Sequence, residues 1–483
     1  MKLLRHLAGY LPVKLASAIA SFGGVYVFTR LLDADEYGRY ALMVSAMALI
    51  HTLSLTPAEA AAYRFAGKAG AQGRLPDHFR TAVSLTLRSL IVTVVLLVAL
   101  GAALGRLSDY LAILPWIAVL MPINTTLQMT LEAHKASQQV RRYALVETTR
   151  LFGGFILGAL IAWKSGMGAA SPFIGMVVIG AILIAPQGAW LAGQIKGGQT
   201  SQSQRRAYLA YGVPIAAALV LDLILSAADR LLIALFLGEA AVGEYAAGYG
   251  VADKTVLLLC AWTAMAGSPL VMAAYERAGK DAARDEARGL ITTMLLIGIP
   301  AATGLALVAQ PLAEAMIGED VRDGAMAIIP WIAFAGLLNG LLIHYFSEAF
   351  QLAHKTAERA VLMLVPAGVN VVLNLILIPQ FGLMGAVAAT VISYALGIVV
   401  LGLRGQRHVA LPLPLLEVLK VSLAALAMWP VIAILPDWGS WPELFVKAAC
   451  GGMTYAIMAF LLDAGGARGF VLEKLKSRAG RAA

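Results

Sequence analysis

The stretch that decides the fold is RRAYLAYGVPIAAALVLDLILSAADRLLIALFLGEAAVGEYAAGYGVADKTVLLLCAWTAMAGSP, residues 205–269. It holds two long apolar runs, 208–237 and 245–269, joined by the short acidic turn Gly238-Glu239-Ala240-Ala241-Val242-Gly243-Glu244. A helix needs about 20 residues to cross a hydrocarbon core roughly 30 Å thick, and each run is longer than that. Each also carries charge well inside its ends: Asp222, Asp229 and Arg230 in the first, Asp253 and Lys254 in the second. Ionisable groups in hydrocarbon are expensive and face a protein or water-filled interior. The stretch therefore reads as part of an integral membrane protein with a polar interior.

The rest of the chain agrees. Of its 483 residues, 60% are hydrophobic and 13% charged, against about 25% charged in a soluble domain. The mean hydropathy is +0.79. A formal net charge of +9 does not indicate nucleic acid, because the basic residues fall in short clusters between apolar runs. Cys260 and Cys450 lie within apolar runs and read as small hydrophobes. The basic start, Met1 to His6, resembles a secretory leader, but no convincing cleavage site follows, so the next run reads as a retained span.

Fourteen spans can be drawn: 11–31, 40–62, 81–104, 111–131, 143–163, 171–193, 208–237, 245–269, 289–310, 325–347, 359–379, 383–403, 412–435 and 443–463. They are too long for barrel strands and lack strict alternation, which leaves helices as the spanning element. Between spans eleven and twelve, Pro379-Gln380-Phe381-Gly382 must make the whole turn. Alternate loops are basic, including Arg64, Lys68, Arg74 and Arg80, then Arg141 and Arg142, then Arg277, Lys280, Arg284 and Arg288, and the tail Lys474, Lys476, Arg478 and Arg481. The other side has few basic residues, among them Arg106 and Lys447, and acidic groups such as Asp33, Asp35, Glu36, Asp437 and Glu443. By the positive-inside rule both termini are expected in the cytoplasm.

Ala133-His134-Lys135 recurs as Ala353-His354-Lys355, and Glu36-Tyr37 as Glu244-Tyr245, in a six-span register. An even repeat unit gives parallel repeats related by an axis along the membrane normal. The expected architecture is all-α and polytopic, with about 14 transmembrane helices in two parallel six-helix lobes plus two C-terminal helices. The boundaries fall at 1–200, 201–408 and 409–483, the last including a basic cytoplasmic tail.

Depth sorts the charges. Glu147, Arg150, Glu348 and Glu417 lie near an edge, where long side chains reach water, and Glu147 with Arg150 can pair along one helix turn. Glu59 and Glu132 read as interfacial, and His134 and His354 as solvated loop histidines. Asp222, Asp253 and Lys254 lie near mid-membrane, as a structural pair or as the lining of an aqueous path. Arg30, Arg88 and Arg230 add cationic groups whose guanidinium geometry suits phosphate. With Arg150 and Asp229 these make the candidate cavity-lining set. No P-loop, zinc-type cysteine pair or nucleophile elbow occurs, so no catalytic residue, metal or cofactor is expected.

Three groups of residues carry a resemblance: Thr29-Arg30-Leu31-Leu32-Asp33 leading to Glu36-Tyr37-Gly38; Asp229-Arg230-Leu231-Leu232 leading to Gly238 and Tyr245; and Asn370, Asn374, Ile378-Pro379 and Gly382 to Thr390. In order and spacing the chain resembles the bacterial polysaccharide-biosynthesis flippases, within the multidrug/oligosaccharidyl-lipid/polysaccharide exporter superfamily. The resemblance implies an alternating-access flippase of the cytoplasmic (inner) membrane. Its cargo would be an undecaprenyl-pyrophosphate-linked oligosaccharide for surface polysaccharide biosynthesis. Membrane lipids and glycan polymerases would be its partners, and H⁺ or Na⁺ a coupling ion. Two alternatives stay open: a cation-coupled multidrug exporter of the same superfamily, and a membrane-embedded glycan polymerase or ligase. The second would be expected to carry a sizeable outer loop, and none is long.

Overall fold

A computed structural model describes residues 2–104, 108–137 and 139–469. Arg106, Lys474, Lys476, Arg478 and Arg481, which entered the charge reading, lie outside the described residues. Every regular element among the described residues is helical. The first half comprises α1 (Lys2–Leu31), α2 (Ala34–Ser54), α3 (Thr56–Ala71), α4 (Leu75–Leu104), α5 (Ser108–Leu111), α6 (Leu114–Ala136), α7 (Val140–Thr148), α8 (Gly154–Ser165), α9 (Ser171–Gln194) and α10 (Gln202–Leu237).

Several segments expected as loops are helical. Asp33 to Glu36 is the start of α2: the Asp33 carboxylate accepts the Glu36 N–H at 2.8 Å, and Glu36 accepts the Asp33 N–H at 3.4 Å. This reciprocal capping satisfies donors that a helix start leaves open. The expected span 40–62 is two helices, α2 and α3, bent by 57°. Pro57 sits in the first turn of α3. Its ring disfavours helical geometry at the preceding residue, and its missing N–H is harmless only at a helix start. Consequently Arg64 and Lys68 lie on a helix, and Arg80 lies within α4.

The second half comprises α11 (Glu239–Leu307), α12 (Ala309–Met316), α13 (Arg322–Leu341), α14 (Glu348–Leu352), α15 (Thr356–Phe381), α16 (Leu383–Gly405), α17 (Leu415–Leu426), α18 (Met428–Ala433) and α19 (Ser440–Leu461). A straight 69-residue helix would run about 100 Å, over three times the hydrocarbon thickness. α11 instead breaks at Gly279, whose φ of 83° and ψ of −159° are not helical. A Cβ on Gly298 would touch the Cys260 sulfur at 3.7 Å, so the arms on either side of Gly279 fold back on one another. The expected basic loop at 277–288 is therefore helical apart from that one glycine. The turn after α15 is tighter than expected: helix continues through Pro379 to Phe381, and Gly382, with φ of 60°, turns the chain. Lys447, counted on the outer side at the start of the last expected span, is a nearly buried residue of α19 that binds Asp437 at 2.7 Å and Glu443 at 2.6 Å. That ammonium holds the exposed Asp437 carboxyl below its ordinary range.

Among the described residues 11 helices are long and apolar enough to cross a membrane, or 12 when the bent α2–α3 pair counts as one. Leu15–Leu31 is a shorter apolar helix, and α11 enters that count as a single element despite its break. Length and composition do not confirm the count of about fourteen.

Two compact units divide the chain: residues 1–234 with 238–243, and residues 235–237 with 244–483. The repeat in the sequence suggested a boundary at 200, but most of α10 packs within the first unit. Tyr208 stacks on Phe65 with centroids 4.6 Å apart, its hydroxyl lies 2.6 Å from His78 Nδ1, and a Cβ on Gly212 would lie 1.9 Å from the Pro57 carbonyl oxygen. Within each unit the same pairing recurs. α9 packs most extensively on α8 and α6 in the first, as α16 does on α15 and α13 in the second. A π-helical turn also occurs in each, at Thr149–Gly153 and Leu342–Phe346.

Candidate functional site

Asp229 and Arg230 lie toward the C-terminal end of α10, within the first unit. Asp229 is buried at 1% exposure, and its Oδ1 accepts the Arg230 backbone N–H at 2.8 Å. The Arg230 guanidinium donates to Ser45 Oγ of α2 at 3.1 Å. Ser45 gives its own hydrogen to the Ala41 carbonyl at 3.0 Å, so its oxygen is oriented as an acceptor for arginine. Asp222, two turns earlier, is half-buried.

A second polar group surrounds Arg150. The π turn carrying Arg150 adds a residue to one turn, a distortion common at functional sites. Arg150 forms a two-pronged bond to Glu147, at 2.8 and 2.7 Å, and reaches Asn124 Oδ1 at 3.4 Å. His51 Nε2 lies 3.0 Å from Glu59 Oε2. His51 and Asn124 line a cavity of about 180 Å³ with Met47, Ala48, Thr52 and Met121. The local Glu147–Arg150 pairing read from spacing is present. Asn124 as its third member, and Glu59 facing His51 across the Pro57 bend, were not legible from spacing. Both Glu147 and Arg150 are largely buried, at 13% and 21% side-chain exposure. A double-mutant cycle of Glu147→Gln and Arg150→Gln, followed by thermal unfolding in detergent, is expected to give a coupling of about 1–2 kcal/mol. Additive losses would mean the pair is energetically idle.

In the second unit Asp253 is buried against α13, where a Cβ on Gly336 would lie 3.3 Å from its Oδ1. One turn before it, the Tyr249 and Tyr394 hydroxyls are 3.3 Å apart. Lys254 follows by 100° around the helix and is exposed. Asp253 and Lys254 thus leave the helix in different directions, although adjacent in sequence. Arg30 is exposed, donates to the Tyr26 carbonyl at 2.8 Å, and lies 4.0 Å over the Tyr26 ring. Arg88 is also exposed and lines a pocket with Arg205 and Arg206. The eight residues are distributed through both units: Arg30, Arg88, Arg150, Asp222, Asp229 and Arg230 in the first, Asp253 and Lys254 in the second.

One further reading changes. His134 is not a solvated loop histidine: it ends α6 nearly fully buried, 2.8 Å from Gln187 Oε1 and 4.1 Å from the Trp190 ring centroid. Its sequence counterpart His354 is exposed, with a left-handed φ of 57°. Asn370 and Asn374 bond to each other within α15, at 3.1 Å between side chains. Among the described residues no three His, Cys, Asp or Glu side chains stand together as a metal site.

A family model described as polysaccharide biosynthesis protein matches residues 3–269, more than half of the chain. The chain belongs to the polysaccharide biosynthesis protein family. A second model, for lipid II flippase MurJ, matches residues 269–445. No curated protein matches by sequence. The solved structure described as lipid II flippase MurJ in an inward closed conformation aligns with a TM-score of 0.73 at 14% identity, over 95% of this chain and 99% of that one. An inward-facing multidrug resistance MATE family transporter of the MOP superfamily aligns with a TM-score of 0.60 at 14% identity, over 81% and 93%. The eukaryotic MATE transporter AtDTX14 aligns at 0.52 and 14% identity, over 93% and 99%. At such identity these likenesses show the fold, which is that of polytopic flippases and exporters. With the family models, they make this polysaccharide biosynthesis protein a multi-pass membrane transporter, not an enzyme.

Proposed function

We propose that this family member flips an undecaprenyl-pyrophosphate-linked oligosaccharide from the cytoplasmic to the outer leaflet of the bacterial inner membrane. The observation that carries the reading is the order of the two matches: polysaccharide biosynthesis over the first half and lipid II flippase over most of the second. Both point to a glycan carried on a lipid. The second unit also contains an apolar groove of about 710 Å³, walled by Leu295, Ile299, Trp331, Phe334, Leu415 and Leu426. Such a wall suits a polyprenyl tail, while charged groups inside the protein suit a pyrophosphate.

In this mechanism the two halves of the six-span repeat act as lobes that open alternately to either side, with most of α10 moving with the first, 409–483 appended and both termini cytoplasmic. Read from sequence, Arg88, Arg230 and Lys254 would hold the phosphates; Arg88 instead lines a pocket with Arg205 and Arg206, so Arg30 joins Arg230 and Lys254 in neutralising the phosphates during passage. Asp222, Asp229 and Asp253 keep the path mixed in charge, and one of them, or the His51–Glu59 pair, carries a coupling H⁺ or Na⁺. Membrane potential would contribute about 2.3 kcal/mol per charge for each 100 mV. No covalent step is involved, and glycan polymerases would consume the flipped product.

The test is reconstitution of the purified chain in liposomes loaded with a defined undecaprenyl-pyrophosphate glycan. Transfer of the glycan to the opposite leaflet, at least tenfold above empty liposomes, is expected. The rival reading, a cation-coupled drug exporter, is favoured by the buried Asp229 and Asp253 carboxylates and by the MATE-like fold. Ion-driven drug efflux with no glycan transfer would replace the proposal with that rival.

A further inference from the structure

On the flank of the first unit, α4 and the start of α10 enclose a pocket of about 500 Å³. Its walls are Arg88 with Leu85, Ser89 and Val92, and Arg205 with Arg206, Gln202 and Leu209. Three guanidinium groups therefore share one small space, and no acidic residue lines it. Among the described residues none of the three has a hydrogen bond or ion pair through its side chain. The neighbouring carboxylate, Asp77, is already taken by Arg74 at 3.0 Å and the Gln199 N–H at 2.7 Å.

The pocket is braced. Arg80 donates to the Gly198 carbonyl at 2.9 Å, and Thr81 to Gln204 at 3.1 Å. A Cβ at Gly198 would lie 2.3 Å from the Pro76 carbonyl oxygen, so the segment entering α10 lies directly on α4. Position matters as much as charge. On one side run the exposed apolar residues Ile91, Val95 and Val98 of α4 and Val213 of α10, and on the other the polar segment 196–204. Apolar flank meets polar loop at the pocket, and on membrane-crossing helices such a boundary falls near the lipid headgroups. Three like charges held together at that depth repel one another, and an anion with several acceptor oxygens relieves the repulsion.

We propose that this pocket binds the phosphodiester headgroup of an anionic membrane phospholipid, whose acyl chains lie along the exposed face of α4. Arg88, Arg205 and Arg206 supply the charge, Ser89 and Gln202 neutral donors, and Leu85, Val92 and Leu209 the contact to the upper chain. The site is independent of the transported cargo, so it stands or falls separately from the flippase reading.

The test uses the full chain in nanodiscs of phosphatidylcholine, with binding of fluorescent phosphatidylglycerol measured by energy transfer. Phosphatidylglycerol is expected to bind at least tenfold more tightly than labelled phosphatidylcholine. The combined R88Q/R205Q/R206Q variant is expected to lose at least tenfold of that affinity. The R141Q/R142Q variant, which removes exposed charge elsewhere on the first unit, should bind as the parent does. If the triple variant fails to fold, R206Q alone, at an exposed position, is expected to weaken binding about threefold. Equal affinity for the two lipids, equal losses in the R141Q/R142Q control, or no loss in any pocket variant overturns the site. Inorganic pyrophosphate that competes at the lipid's own affinity would overturn the lipid assignment, since a free anion would then suffice.

Discussion

Gly175→Ala is expected to destabilise the protein by about 3 kcal/mol, a large effect for one methyl group. α8 presents Gly154 and Gly158, four residues apart, to Gly175 of α9. A Cβ at Gly175 would lie 2.3 Å from the Gly158 nitrogen and 2.6 Å from both the Gly154 oxygen and the Gly158 Cα. These are backbone atoms of a packed helix and cannot swing aside as a side-chain tip would. In a bilayer, helices gain little from burying apolar surface and associate through such close backbone approach. Gly188 on the same helix faces open space, so Gly188→Ala is the matched control. It should leave stability unchanged or raise it by up to about 1 kcal/mol through helix propensity. Thermal unfolding of both variants in one detergent decides the matter: equal midpoints would show that the α8–α9 crossing adjusts freely.

Arg230→Ala is the functional change with the largest expected effect. Its guanidinium is held by Ser45 next to the buried Asp229. If it receives a substrate phosphate, the charge-assisted bonds removed are worth about 1.5–3 kcal/mol, or roughly a 10- to 100-fold loss of transfer rate. Arg230→Lys keeps the charge but not the planar fork and should recover part of the rate. Ser45→Ala leaves the guanidinium in place without its anchor and should cost only a few-fold. Liposome transfer assays on folded, monodisperse variants measure all three. Full transport by Arg230→Ala would remove this residue from the path.

The candidate residues differ in how far sequence could take them. Glu147 and Arg150 were readable because a spacing of three puts two side chains on one helix face. The π turn at Thr149–Gly153 did not prevent their pairing. His51 and Glu59, eight residues apart, would be separated by about 12 Å along a straight helix. Only the bend at Pro57 brings them to 3.0 Å. His134 shows the opposite error. Its basic neighbours suggested a loop, but α6 extends to Ala136 and carries the ring under Trp190. Hydropathy marks where a helix leaves lipid, not where it stops, and α3, α4 and α11 all run on past their apolar runs.

Returning to residues 205–269, sequence alone determined that they cross a membrane as helices. That follows from transfer free energy and the need to satisfy every backbone group within the element, both properties of local composition. Recurring short motifs suggested the six-span repeat, and longer ones pointed to the family. Only the tertiary structure decided that α10 packs with the first unit, where Gly212 meets Pro57 and Tyr208 meets His78. It also decided that Asp253 turns inward while Lys254 stays exposed, and that Arg88 shares a pocket with Arg205 and Arg206. Packing depends on which surfaces meet across more than a hundred residues of chain, and a local pattern holds no record of its distant partner.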